Sequence, residues 1–210
     1  MAKPQTRKVK SPHRGRWSGP AWIALAVSLL ASAAAQAQHP ADRWEFGVEA
    51  GYLQKVRRNS PLDYRIAPGQ LVWRSPAAFD LWQGASGARL AVRNRLAIVA
   101  ERFVRGPEDH YLAFAAAPTI ELWAADRKSA LFYEIGGGVG WLNSKGVAGG
   151  QGQDLTFNWF THLGVRRQLD ARMAVTGGLY FTHHSNLGMT KPNPGIDVLG
   201  LNFGMVWQFD

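Results

Sequence analysis

The 210-residue chain carries 24 Lys and Arg against 15 Asp and Glu, a formal net charge of +9, and no cysteine. The missing cysteines exclude a disulfide scaffold, a thiol nucleophile and cysteine zinc sites, and the length suits one domain or two small ones. With 19% charged residues and a mean hydropathy of -0.19, the composition does not fit a polytopic helical membrane protein.

The charge is unevenly placed. Residues 1–37 hold Lys3, Arg7, Lys8, Lys10, Arg14 and Arg16 and no acid, then the apolar run Trp22–Leu30, then Ala35-Gln36-Ala37. A basic stretch, an apolar stretch and an A-x-A site predict a secretory signal peptide over 1–37, followed by the exported part 38–210. The apolar run is shorter than the ~20 residues a spanning helix needs. Residues 38–210 keep 18 basic and 15 acidic residues, a net of +3 with both signs interspersed. No basic stripe remains, so nucleic acid is not expected as a partner.

The exported part alternates with period two, which sends successive side chains to opposite faces of a strand. Trp44, Phe46, Val48, Ala50 and Tyr52 oppose Glu45 and Glu49. A strand within Tyr64–Trp82 completes the set. Leu90, Val92, Leu96 and Ile98 share a face, as do Leu112, Phe114, Ile120 and Leu122. Leu131 to Trp141 places large odd residues against Glu134 and a run of glycines. Leu155, Phe157, Trp159, Leu163 and Val165 follow, then Met173, Val175, Leu179 and Phe181, then Leu199, Leu201, Phe203, Met205, Trp207 and Phe209.

The result is an all-β chain of eight candidate strands. Glycine and polar residues on the second face make a poor soluble core. Aromatic residues near strand ends (Trp44, Trp123, Trp141, Trp207) suit interfacial girdles, and short connections (124–128, 168–171) alternate with long ones (143–154, 186–196). These features predict an eight-stranded antiparallel transmembrane β-barrel with short periplasmic turns and longer outward loops, located in the outer membrane.

The chemistry concentrates at Thr182-His183-His184-Ser185-Asn186-Leu187-Gly188 and at Pro192-Asn193-Pro194-Gly195-Ile196-Asp197, on the seventh and eighth strands and the loop between them. Parity puts His183 and Ser185 on the lipid-facing side, and Asp197 on the same side of the neighbouring strand. Polar groups on a lipid face are costly, so a cluster there is a functional candidate. Ser185 fits a nucleophile, His183 its base and then acid, and Asp197 the carboxylate that orients the imidazole. The Gly188 N–H and the Asn193 side chain, with Asn186 behind them, are candidate oxyanion donors. His162 and His184 face inward and read as structural. No ligand-spaced His and carboxylate cluster calls for a metal, and no cofactor is expected.

His183-x-Ser185-Asn186, the loop with Pro192-Asn193-x-Gly195-Ile196, and the acid at Asp197 resemble the signature of PagL-type lipid A 3-O-deacylases, also described as acyloxyacyl hydrolase-like. Family members are eight-stranded outer-membrane barrels with a Ser-His-acid triad on the outer surface. Their best-known acid is Glu, where this chain has Asp197. The resemblance implies an esterase that releases the 3-hydroxyacyl chain at position 3 of lipid A. Lipopolysaccharide and the outer membrane are then its partners, and homodimer formation stays open. Lys145 and Lys191 are candidate contacts for lipid A phosphates, or solvated loop lysines. The competing functions are a non-catalytic small barrel (an adhesin or membrane-stability protein) and a soluble exported barrel holding an apolar ligand.

Overall fold

Alternation along the chain translates directly into hydrogen-bonded strands. The computed structural model describes residues 38–56 and 62–210. The signal peptide read at 1–37 lies outside the described residues. After a single 3-10 turn at Pro40–Asp42 come β1 (Trp44–Lys55), β2 (Arg65–Arg74), β3 (Phe79–Gln83), β4 (Arg89–Arg105), β5 (His110–Trp123), β6 (Ser129–Leu142), β7 (Leu155–Gln168), β8 (Met173–Ser185) and β9 (Ile196–Phe209). Every neighbouring pair is antiparallel. β1 pairs with both β2 and β9, and β2 pairs with β4, so eight strands close on themselves. Closure leaves the eight-strand wall without open edges, which is how a β-structure satisfies its backbone in lipid.

β3 is the ninth strand and lies outside that count. β2 pairs with β4 down to Trp73 and Arg74, opposite Leu96 and Arg95. β3 then takes over alongside Phe79–Gln83, opposite Val92 to Arg89. The strand expected within Tyr64–Trp82 is thus β2, and the rest of that window is a separate hairpin arm. Trp44 lies opposite Phe209, so both ends of the described barrel sit at one end, the terminus end. Leu62–Tyr64 and the loops 106–109, 143–154 and 186–195 lie at the other, the loop end. Two connections depart from the length alternation: 106–109 is short at the loop end, and 75–88, which contains β3, is long at the terminus end.

The tight turns have local causes. In 124–128, Asp126 accepts the Lys128 N–H at 2.8 Å and Arg127 adopts φ 57°. In 169–172, Asp170 accepts the N–H groups of Arg172 and Met173 at 2.7 and 2.9 Å. Side-chain acceptors two and three residues back are what Asp supplies best in a turn. On β6, a Cβ at Gly138 would come within 2.3 Å of the Phe114 carbonyl oxygen. That position therefore stays glycine so that β5 and β6 can approach.

The large apolar set faces outward, with Phe114 71%, Leu96 60% and Phe203 59% exposed. A soluble protein would bury such residues, whereas a lipid-facing wall presents them. Inside the barrel, buried acids and arginines interlock. Glu45 pairs with Arg93 at 2.9 Å and with Arg166, Glu49 with Arg74 at 2.8 Å, and Glu134 with Arg74 and Arg95 at 2.9 and 3.2 Å. Multiple partners per ion offset the desolvation that burial of each costs. Trp123 corrects the expected girdle. It is fully buried, donates its Nε1–H to Glu121 at 2.8 Å, and lies under the Arg166 guanidinium at 5.3 Å. The other three girdle tryptophans, Trp44, Trp141 and Trp207, are exposed on the wall.

Candidate active site

β8 and β9 run antiparallel, and their register sets His183 directly opposite Asp197. Both residues lie on the outward face, as parity required. The His183 Nδ1 is 2.6 Å from Asp197 Oδ1, with the two side chains 23% and 15% exposed. A carboxylate accepting at that nitrogen places the ring proton on Nδ1 and leaves Nε2 as an acceptor. Direct cross-strand opposition also explains why a short Asp reaches: the backbone has already brought the two Cβ atoms to about 5 Å.

On the other side of β8, His183 faces Trp159 of β7, with ring centroids 6.2 Å apart and planes inclined by 33°. The imidazole is therefore held between an aromatic wall and a carboxylate. Trp159 belongs to the outward set in the sequence, but nothing local there indicates that it borders His183.

Ser185 ends β8 opposite Phe157 and is half-buried. Its Oγ accepts the Leu187 N–H at 3.4 Å. The chain then turns sharply, with Leu187 at φ 56° and Gly188 at φ 78°. Asn186 organises this turn. Its Oδ1 accepts the Gly188 N–H at 2.8 Å, and its own N–H donates to Asn193 Oδ1 at 3.1 Å. Its side-chain amide donates to the carbonyls of Gln151 at 2.6 Å and Thr190 at 2.7 Å. Asn186 is buried, whereas Gly188 and Asn193 are exposed.

The bond to Gln151 leads into a chain of contacts between loops. The Gln151 N–H donates to Ser144 Oγ, and the Ser144 hydroxyl donates to Glu108 Oε1 at 2.9 Å. Glu108 Oε2 accepts from the Tyr64 hydroxyl at 3.0 Å. Glu108 is buried at 2% exposure, so one carboxylate ties Tyr64, just before β2, to loops 106–109 and 143–154. Burial and the adjacent Glu108 carboxylate push the Tyr64 hydroxyl well above its ordinary range, so it stays a donor. Loop 143–154 also presses on loop 186–195: Thr190 bonds Gln153, and a Cβ at Gly152 would lie 2.8 Å from the Pro192 carbonyl oxygen. Sequence reading missed Glu108, Ser144 and Gln151, which carry no motif.

Inside the barrel, His184 Nε2 lies 3.1 Å from Glu101 and His162 Nδ1 lies 3.4 Å from Glu134, both fully enclosed. Their roles are structural. Lys145 and Lys191 are exposed in their loops. Among the described residues no group of three His or acidic side chains is placed to hold a metal ion.

The crystal structure of the outer membrane enzyme PagL superposes with a TM-score of 0.55 and 22% identity, covering 76% of this chain and 97% of that one. The backbone structure of the Yersinia pestis outer membrane protein Ail covers 79% and 99% at 15% identity, with a TM-score of 0.36. Comparison with curated proteins finds no match. The family profile described as Lipid A 3-O-deacylase (PagL) matches residues 62–206, more than half of the chain and all of the segment just described. The chain thus belongs to the PagL family of lipid A 3-O-deacylases, ester hydrolases of the outer membrane.

Proposed function

We propose that this member cleaves the ester at position 3 of lipid A with Ser185 as nucleophile, His183 as base and acid, and Asp197 as the orienting carboxylate. The observation that carries the reading is the 2.6 Å His183–Asp197 pair on the lipid face, two residues from a serine on the same face. The serine hydroxyl is weak at neutral pH and gains nucleophilicity when His183 Nε2 takes its proton. Ser185 Oγ bonds to the acyl carbon, and the carbonyl oxygen becomes an oxyanion. Collapse breaks the ester bond, and the sugar oxygen leaves with the proton from Nε2. Water then attacks the acyl-enzyme, giving a proton to His183; the Ser185 Oγ–acyl bond breaks as Oγ takes that proton back from Nε2, and the 3-hydroxy fatty acid departs.

The oxyanion needs preorganised donors. Asn186, Gly188 and Asn193 are the candidates, with the Leu187 N–H a further one beside Ser185 Oγ. The Gly188 N–H serves only when its bond to Asn186 Oδ1 opens. Asn193 turns its carbonyl to the Asn186 N–H, which leaves its amide nitrogen for substrate.

In this reading residues 1–37 are removed on export, 38–210 form the barrel, and the loop end points outward. The site then meets the leaflet that holds lipopolysaccharide. Expression in a lipopolysaccharide-bearing host, followed by mass analysis of lipid A, tests the proposal. The wild type removes one 3-hydroxyacyl chain and Ser185→Ala removes none. Unchanged lipid A beside a folded wild-type barrel refutes it.

A further inference from the structure

The flank across the barrel from Ser185 gathers cations near the loop end. In the ring of eight, the β8–β9 seam lies opposite the β4–β5 seam. Near the loop end, outward positions on β6 to β9 are Trp141, Leu155, Ser185 and Asp197, whereas β2, β4 and β5 present Arg65, Arg102 and His110. Register brings them together: Arg102 lies opposite both His110 and Ala67, and Arg65, two residues nearer the loop end than Ala67, lies opposite Arg105. Arg105 is paired with Asp63 at 2.9 Å. Arg65 and Arg102 form no ion pair among the described residues, and both are exposed.

Adjacent like charges on a sheet repel, and arginine on a lipid-facing wall costs desolvation that falls only near the interface. An anion lying among them removes both penalties. The three cations span two inter-strand spacings, about 10 Å, with Arg65 set about 7 Å nearer the loop end. That is wider than one phosphodiester needs and suits a headgroup with two phosphates. Guanidinium groups bind such oxygens in bidentate fashion, which lysine does not.

Apolar surface continues beneath the cations. Leu112 comes first, then a groove of about 640 Å³ walled by Leu96, Ile98, Phe114 and Val139. From Arg102 to Ile98 is four residues, roughly 13 Å along the strand. Charge above and a groove below are the two ends of an amphiphile.

We infer that this flank binds a bis-phosphorylated glycolipid of the outer leaflet, held and not cleaved, at a site separate from Ser185. Its phosphates lie among Arg65, Arg102 and His110, and its acyl chains run over Leu112 into the groove. The inference rests on the loop end facing outward. It does not depend on the hydrolytic assignment of Ser185.

The test uses the folded Ser185→Ala barrel, which retains lipid uncleaved, titrated with bis-phosphorylated lipid A and read by native mass spectrometry. Two lipids per barrel are expected. Arg65→Gln with Arg102→Gln weakens one of them about 25-fold, at roughly fivefold per cation, and the double Lys replacement recovers part of the loss. Raising salt on the unchanged cations weakens the same lipid, so the test stands even where the Gln variant fails to fold. A single lipid in every variant overturns the site, as does a second lipid indifferent to salt and to the Gln pair. Equal binding of dephosphorylated lipid A or of phosphatidylglycerol also overturns it. Wild-type barrel that binds the second lipid yet releases no hydroxyacyl chain refutes the deacylase reading of Ser185 alone.

Discussion

The Asn186 side-chain amide donates to the Gln151 carbonyl at 2.6 Å, which ties the residue after Ser185 to the loop between β6 and β7. Gln151 is in turn held through Ser144 by Glu108. Glu108→Ala leaves two buried hydroxyls without their acceptor and frees loop 143–154. Lipid A release is expected to slow about tenfold, because small misplacements at a reacting centre are costly. Glu108→Gln keeps one acceptor oxygen and recovers part of the rate. Heat-modifiable migration on gels checks that both barrels remain folded.

Ser185→Ala is expected to abolish deacylation, by 10³-fold or more as for other serine hydrolases, while the barrel keeps its thermal stability. The hydroxyl sits at the rim of the wall and contributes little packing. A variant with residual activity within tenfold of wild type contradicts the nucleophile assignment.

Asp197→Asn keeps the shape and removes the charge that fixes the His183 tautomer. A fall of about 10⁴-fold in kcat is expected by analogy with such triads. Asp197→Glu adds a methylene to a pair already at 2.6 Å. It retains more activity than Asn but less than wild type, measured by release of hydroxy fatty acid.

Glu134→Leu removes the carboxylate shared by Arg74 and Arg95 and leaves both guanidiniums enclosed. Breaking such a buried pair costs about 3–5 kcal/mol. A clear drop in the temperature of heat-induced unfolding in detergent is the readout. Deacylation at temperatures well below that transition is unaffected.

The terminus end has a pH dependence of its own. His39 Nδ1 accepts the Ala41 N–H at 3.1 Å, and burial, with Arg89 nearby, pulls its imidazole down from 6.5 to about 4. The Arg89 hydrogen bonds hold the Asp42 carboxyl below its ordinary value. Both groups favour the deprotonated form when folded: the His39 contribution is full above pH 6.5 and is lost as pH falls toward 4, whereas that of Asp42 persists until pH drops below the ordinary carboxyl range. The 3-10 turn at Pro40–Asp42 is expected to loosen between pH 6.5 and 4, seen as faster hydrogen exchange there while the strands stay protected.

Much of the barrel was legible because parity is a local property. Ser185, His183 and Asp197 could be assigned to one face before their contacts were known. Trp123 shows parity overriding composition: Leu112, Phe114, Ile120 and Leu122 face lipid, so residue 123 must face inward, where Glu121 and Arg166 supply partners. β3 was not legible, because a five-residue strand with a bulge between Asp80 and Trp82 breaks the period. Nor was the Tyr64–Glu108–Ser144 chain. It depends on loops 36 to 44 residues apart in sequence meeting over the barrel mouth.

The interlocked acids and arginines that fill the interior have a kinetic consequence. With the lumen occupied by side chains, substrate does not pass through the barrel. It arrives sideways, by diffusion within a leaflet. Encounter is therefore two-dimensional, governed by the number of glycolipids per unit area and not by their concentration in the bulk. Rate constants measured in micelles will scale with mole fraction in the micelle. An effective inhibitor must first partition into the bilayer before it can compete.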